Sequence, residues 1–491
     1  MWLSKLRPHN ASTFSLQATA TGFAVLLITG SGMVYLCNAP LDMNFAPMLK
    51  GYPAHTVACA KRLTHSAKGQ LTAPANLADG FVYRAHPAQD PPQLGYGKTL
   101  TVGRGKEYPT ISRAVLAAQD GDIIAIAPGT YVGESMIIAR NDLILRGQDG
   151  VAIIDAAYGP VLQDKAILIT QGHNILLENL ELKNAVSVDD NGAAIRAEGP
   201  SLFVRHCFIH DNQAGILVSN RGDSTVVVEY SEFARNGHRD GQSHQIYAGL
   251  IAQLSLRYNF IHDSVVGSAI KSRAAHNVIE YNFVVDGATG SANYTVDLSA
   301  GGYALLVGNV FQKGPRAQNS TFVSYAPESL AWPDNALFMS HNTLVNDRFD
   351  SNFITNHAAV ELHAINNLFI GRGTIVAGGA VQLTGNIVMN NTRYGTVHNN
   401  DLGGSVGSGR NRSLASAEVL DRARLDYRLT RASAAIDAAV PIPAHYPAAL
   451  TARWQYHHPA GRSARPQLGA QADSGAFEFA EPQTASAATK H

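Results

Sequence analysis

Lys271 and Arg273 stand two residues apart in the stretch Gly267-Ser268-Ala269-Ile270-Lys271-Ser272-Arg273. In an extended strand that spacing puts both cations on one face, about 6.6 Å apart. Two cations so placed can neutralise an anionic group, and a lysine in its neutral form can also take a proton. Their neighbours follow from aligning the apolar residues ahead of a repeated phrase. With Ile246, Ile270, Val296, Val323 and Ile354 pointing inward, the next residues form an outward column of Tyr247, Lys271, Asp297, Ser324 and Thr355. A second outward column reads Gly249, Arg273, Ser299, Ala326 and His357. Strands stacked about 4.8 Å apart put Tyr247 and Asp297 on the rungs either side of Lys271.

Such a patch suits an acidic sugar chain. The cations would hold a uronate carboxylate, and the tyrosine would stack on or hydrogen-bond to a ring. β-Elimination needs a base for the proton α to the carboxylate and an acid for the leaving oxygen. The candidate catalytic residues are Lys271 as base, with Arg273 and Arg316. Arg316 sits in the loop Lys313-Gly314-Pro315-Arg316 and could reach over the same face. The candidate substrate-binding residues are Tyr247, Asp297, His244, Tyr325 and His357. Against this stand blander readings: a cross-rung Lys271–Asp297 ion pair of little weight, a solvated Arg316, and histidines that serve only as polar turn residues. His210-Asp211 and His262-Asp263 recur at one place in the phrase and read as turn chemistry.

The elements that must position these side chains are short strands. Leu256-Arg257-Tyr258-Asn259-Phe260-Ile261-His262-Asp263 is echoed by Val278-Ile279-Glu280-Tyr281-Asn282-Phe283-Val284-Val285-Asp286, and again around Asn309, Asn342 and Asn367. The marker residues Phe260, Phe283, Phe311, Leu344 and Phe369 recur at repeat-protein intervals. No helical pattern of ten or more residues interrupts residues 135–400, which argues against alternating βαβ units. A β-propeller needs about 40 or more residues per blade. The fold expected is all-β: a right-handed parallel β-helix over 96–405, with a short N-terminal capping helix near Thr110–Ala118 and an irregular C-terminal tail. The marker asparagines are expected to form a side-chain ladder inside the turns. Residues 406–479 are expected to fold back over the last coils, with 480–491 disordered.

Composition narrows the partners. Formal net charge is zero, so no nucleic-acid partner is indicated and an anionic substrate needs a local basic cluster. Three cysteines, Cys37, Cys59 and Cys207, are too few for a disulfide framework and lack zinc spacing. Lys5 and Arg7 precede an apolar run over 19–37, which reads as a signal peptide or an uncleaved inner-membrane anchor within residues 1–39. The chain is therefore expected in the periplasm or outside the cell, with 40–95 a linker or irregular extension.

The stretch Ala269-Ile270-Lys271-Ser272-Arg273-Ala274-Ala275-His276-Asn277-Val278-Ile279-Glu280-Tyr281-Asn282-Phe283 resembles the "K-S-x-x-N-x-x-x-x-N-x-F" segment of the chondroitinase B and alginate lyase family of polysaccharide lyases. The resemblance implies elimination on a uronate polymer with Lys271 as base, an arginine on a following coil as acid, and calcium at the uronate. Asn293-Tyr294-Thr295-Val296-Asp297-Leu298 has no arginine where that acid is expected. Ser264, Val265 and Val266 stand where the family has paired glutamates, so the calcium ligands are not matched and no cofactor is expected. Two other functions fit the same sequence. One is a glycoside hydrolase with a carboxylate pair drawn from Asp297, Glu328 and Asp240. The other is a non-catalytic glycan-binding or envelope-assembly solenoid.

Overall fold

The computed structural model describes residues 94–481 apart from 158–160, 239–240, 390–391, 396–410 and 415–418, together with three short strands near the N-terminus. The chain divides into two units, 1–84 and 85–491. In the first, Thr13–Phe14, Val25–Thr29 and Val34–Cys37 pair as a small antiparallel sheet. Among the described residues no helix is long and apolar enough to cross a membrane. The extension up to residue 93, the tail from 482, and Asp240 lie outside the described residues.

The second unit is a three-sided parallel β-solenoid. Each coil gives one strand to each of three sheets, of eleven, twelve and twelve strands. Sheet 1 runs from Met136–Ile138 to Thr392–Gly395 and sheet 2 from Thr99–Val102 to Val381–Thr384. Sheet 3 runs from Gly129–Val132 to Arg412–Leu414. Inward side chains of all three meet in one apolar column, in which Ile246, Ile270, Val296 and Val323 are fully buried. Cys207 belongs to that core, and burial pushes its thiol up to about 12. Helix α1 (Ile111–Ala117) closes the N-terminal end by burying Ile111, Ala114 and Val115, and the Thr110 hydroxyl caps it by accepting from the Arg113 N–H. A solenoid exposes its core at each end, so such a cover is a physical requirement.

The repeated phrase is the corner between sheets 2 and 3. Tyr258, Tyr281, His341 and Asn366 adopt positive φ, and Gly308 fills the same place. This left-handed residue turns the next one, an asparagine, into the core. Asn259, Asn282, Asn309, Asn342, Asn367, Asn386 and Asn411 then form the expected ladder. Each of the first six donates Nδ2–H to the Oδ1 of the next, at 2.9–3.0 Å. Every rung also takes a backbone N–H, as from Asn282 to Asn309. The buried amides are thus fully paired.

Residues 419–479 pack on the outer side of sheet 3. Tyr427, Leu429, Ala435, Tyr456 and Phe477 cover Phe283, Val285, Val310 and Leu368. This explains why Phe283–Val285 is buried on both faces and reads as an unbroken apolar run. Arg465 anchors the segment from below, paired with Glu478 at 3.0 Å and donating to the carbonyls of Gly475 and Asp473.

Candidate functional site on sheet 1

The ladder of sheet 1 pairs Tyr247 with Lys271, Lys271 with Asp297, Asp297 with Ser324, and Ser324 with Thr355. This is the expected outward column, and it arises because Ile246, Ile270, Val296, Val323 and Ile354 take the inward places. Lys271 and Arg273 project side by side from the outer face and converge on one carboxylate, Glu328. Lys271 Nζ lies 2.9 Å from Glu328 Oε1 and 3.4 Å from Asp297 Oδ2. Arg273 grips Glu328 with two N–H donors, at 2.7 and 2.8 Å, a fork that matches carboxylate geometry. The Arg273 bonds, the largest cause, hold the Glu328 carboxyl down at about 2, and Lys271 adds to them against partial burial.

Tyr247 completes the patch. Its hydroxyl accepts from Arg273 Nη1, and the guanidinium carbon lies 5.3 Å from its ring centroid. His244 also stacks on Tyr247, with ring centroids 5.8 Å apart. Burial, with Lys271 and Arg273 adding repulsion, lowers His244 to about 3. The ring is neutral, and its Nδ1 accepts the Ser268 N–H at 2.8 Å, which leaves the proton on Nε2. Asp297 lies beneath, 3% exposed. Burial raises its carboxyl, although Lys271 pulls the other way, and its Oδ1 makes no hydrogen bond.

Glu328 reaches this face because residues 326–335 fold over it. The backbone N–H groups of Glu328 and Ala331 bond to Ser299 and Ala300, and the Trp332 indole donates to the Arg273 carbonyl at 2.9 Å. Glu328 is thus the hub of a cluster, where the sequence offers it only as a candidate acid or a hydrolase carboxylate. It lies 57 residues from Lys271, in a segment without strand period, and Trp332 carried no sequence signal.

Other expected residues do not join. Tyr325 is a correction: it points inward, is fully buried, and its hydroxyl donates to the Gly302 carbonyl at 2.8 Å, so it cannot touch a polymer on the outer face. Arg316 is exposed after Val310–Lys313 and, among the described residues, makes no hydrogen bond or ion pair with the cluster. His357 is exposed three rungs from Lys271, about 14 Å along the axis. Lys313, read only as a loop residue, is fully buried; burial lowers it to about 8, and its Nζ donates to the Asn293 carbonyl.

The calcium implied by the lyase resemblance does not fit these residues. The positions expected to bear carboxylates hold Ser264, Val265 and Val266, and the carboxylates nearby, Asp297 and Glu328, already neutralise Lys271 and Arg273. Among the described residues no group of three or more His, Cys, Asp or Glu side chains is placed to hold a metal ion.

No curated protein matches the chain in sequence. Solved structures with a related course include pectate lyase Pel9A, at 13% identity and TM-score 0.46, covering 78% of this chain and 97% of that one. A pectin methylesterase from Aspergillus niger follows at 13% identity and TM-score 0.22, covering 70% and 91%. The PL6 family alginate lyase AlyGC stands at 14% and 0.25, covering 67% of this chain and 40% of its own. Residues 131–311 match the family model described as "Right handed beta helix region". With the three parallel sheets, this match makes the protein a right-handed parallel β-helix.

Proposed function

We propose that this protein binds an acidic polysaccharide along the outer face of sheet 1 and cleaves it by β-elimination. One observation carries the reading: two outward cations two residues apart, Lys271 in the strand Ile270–Ser272 and Arg273 just past its end, converge on a single side-chain carboxylate beside a tyrosine hydroxyl. A uronate carboxylate has the charge and shape to take Glu328's place on Arg273. Displacing Glu328 leaves Lys271 beside the buried Asp297 alone. In its neutral form Lys271 takes the proton α to the carboxylate. The C–O bond at the neighbouring carbon then breaks, a C=C bond forms, and the leaving oxygen takes a proton from Tyr247. Arg273 holds the charge that develops on the substrate carboxylate.

Hydrolysis fits less well. It requires two carboxyl groups facing the substrate, whereas Asp297 is buried and Glu328 is bound by both cations. The test is ultraviolet absorbance of reaction mixtures with a panel of uronate polymers, beside Lys271→Ala. Growing absorbance from an unsaturated uronate, lost in the variant, supports the proposal. Reducing ends without absorbance mean hydrolysis, and binding without either means a scaffold.

A further inference from the structure

A second, separate cleft opens on sheet 2, beneath the C-terminal segment, with a volume of about 590 Å³. Its floor is a ladder of alternating charge, in which Arg205 pairs with Glu229 at 3.0 Å and Arg257 with Glu280 at 2.9 Å. Those charges are closed within the ladder. Beside it the corner residues His206, Tyr230, Tyr258 and Tyr281 stack in a ribbon with centroids 5.2, 4.9 and 5.8 Å apart. The roof brings Trp454 and two further arginines. Arg462 lies over both the Trp454 ring, at 3.9 Å, and the Tyr258 ring, at 4.8 Å, and donates to the Tyr258 hydroxyl at 2.9 Å. Arg453 is exposed at the rim, its backbone N–H bound to the Tyr281 hydroxyl. Among the described residues neither Arg453 nor Arg462 has a carboxylate partner, and their two charges outweigh the floor, where Glu178, Glu229 and Glu280 face Arg205 and Arg257.

We infer that this cleft is a binding site for an acidic saccharide, distinct from the patch at Lys271. The rim arginines supply the counter-charge for a carboxylate. On the floor only the part-exposed Arg205 and Glu178 face the cleft as polar edges for hydroxyls, whereas Arg257 and Glu229 are buried and paired with each other. The part-exposed rings of Tyr230 and Trp454 provide the amphipathic surface that sugar rings pack against; Tyr258 and Tyr281 are buried beneath, their hydroxyls taken by Arg462 and Arg453. A cleft of this size is in the range that encloses small ligands.

Trp454 makes the site observable. The chain has three tryptophans, and in Trp2→Phe/Trp332→Phe the full-length protein reports through Trp454 alone. Titration with a galacturonate trisaccharide should change its emission saturably, and Arg453→Gln/Arg462→Gln should weaken the apparent affinity at least ten-fold. Lys271→Ala should leave that affinity unaltered. No change in emission, or a change abolished by Lys271→Ala, overturns the assignment. An equal response to inorganic phosphate reduces the site to an anion pocket and overturns its saccharide class. Calorimetry on the otherwise unaltered chain with the same Arg453→Gln/Arg462→Gln change guards against a disturbed Trp332 loop: two binding events should become one, and two persisting events contradict the second site.

Discussion

The outer faces of sheets 1 and 2 both carry basic and acidic side chains in columns, yet the charges are organised differently. On sheet 2, Arg146, Glu178, Arg205, Glu229, Arg257 and Glu280 alternate rung by rung. Each acid there has a basic neighbour in the ladder itself. On sheet 1 the cations follow one another along a single coil rather than across rungs, and the carboxylate that satisfies both comes from a loop more than fifty residues away. The first pattern is what a repeat does to neutralise itself. The second leaves a cation pair whose partner an incoming anion can replace without breaking the sheet. Charge alone therefore does not mark a site on a solenoid; the source of the counter-charge does.

Breaking each pattern should have opposite consequences. The largest effect is expected for Lys271→Ala: turnover should fall by about 10³-fold, with thermal unfolding close to that of the parent. Arg257→Ala should do the reverse to stability. It leaves Glu280 without its partner and Glu229 with Arg205 alone, both with little solvent, a loss of about 3 kcal/mol in denaturant unfolding. Asn309→Ala opens the asparagine ladder at both neighbours and strands the Ile279 carbonyl. That should cost about 2 kcal/mol, read in the same experiment.

Smaller changes sharpen the contrast. Glu328→Gln keeps the loop and removes the competing charge, so KM for an acidic polymer should drop roughly five-fold, the equivalent of about 1 kcal/mol for a partly exposed ion pair. An unchanged KM would mean that Glu328 does not stand where substrate binds. His262 on sheet 3 provides a pH readout independent of either face. Burial opposes its charged form, but hydrogen bonds to Asp263 and Glu232 outweigh it and hold the imidazole above its ordinary range. Its contribution to stability is complete below the unfolded-state value and fades as pH rises through the folded one. Melting temperature should therefore slip in that window, and His262→Gln should remove the slope.

The register of the site was legible from sequence because stacked coils repeat it: apolar Ile246, Ile270, Val296 and Val323 leave no choice of face for Tyr247, Lys271 and Asp297. The asparagine ladder was legible for the same reason. The alternation that turns Ser324 outward also turns Tyr325 inward, so its assignment to substrate contradicted a rule already in hand. Glu328 and Trp332 were not legible. Their position depends on a loop whose course follows from backbone bonds to Ser299 and Ala300 and from the Trp332–Arg273 contact, none of which has a period or a fixed spacing. The second cleft was hidden likewise, since Trp454 and Arg462 meet Tyr258 only once the C-terminal segment has folded back.

The most direct test of the sheet 1 site is calorimetric titration of a uronate oligosaccharide into Arg273→Gln and into Lys271→Ala, each carrying Arg453→Gln/Arg462→Gln so that only the sheet 1 face is read. If the cation pair receives the substrate carboxylate, Arg273→Gln should weaken binding by about 10- to 100-fold, the worth of a charge-assisted hydrogen-bonded pair. Affinity equal to that of the parent would place the polymer elsewhere and contradict the account.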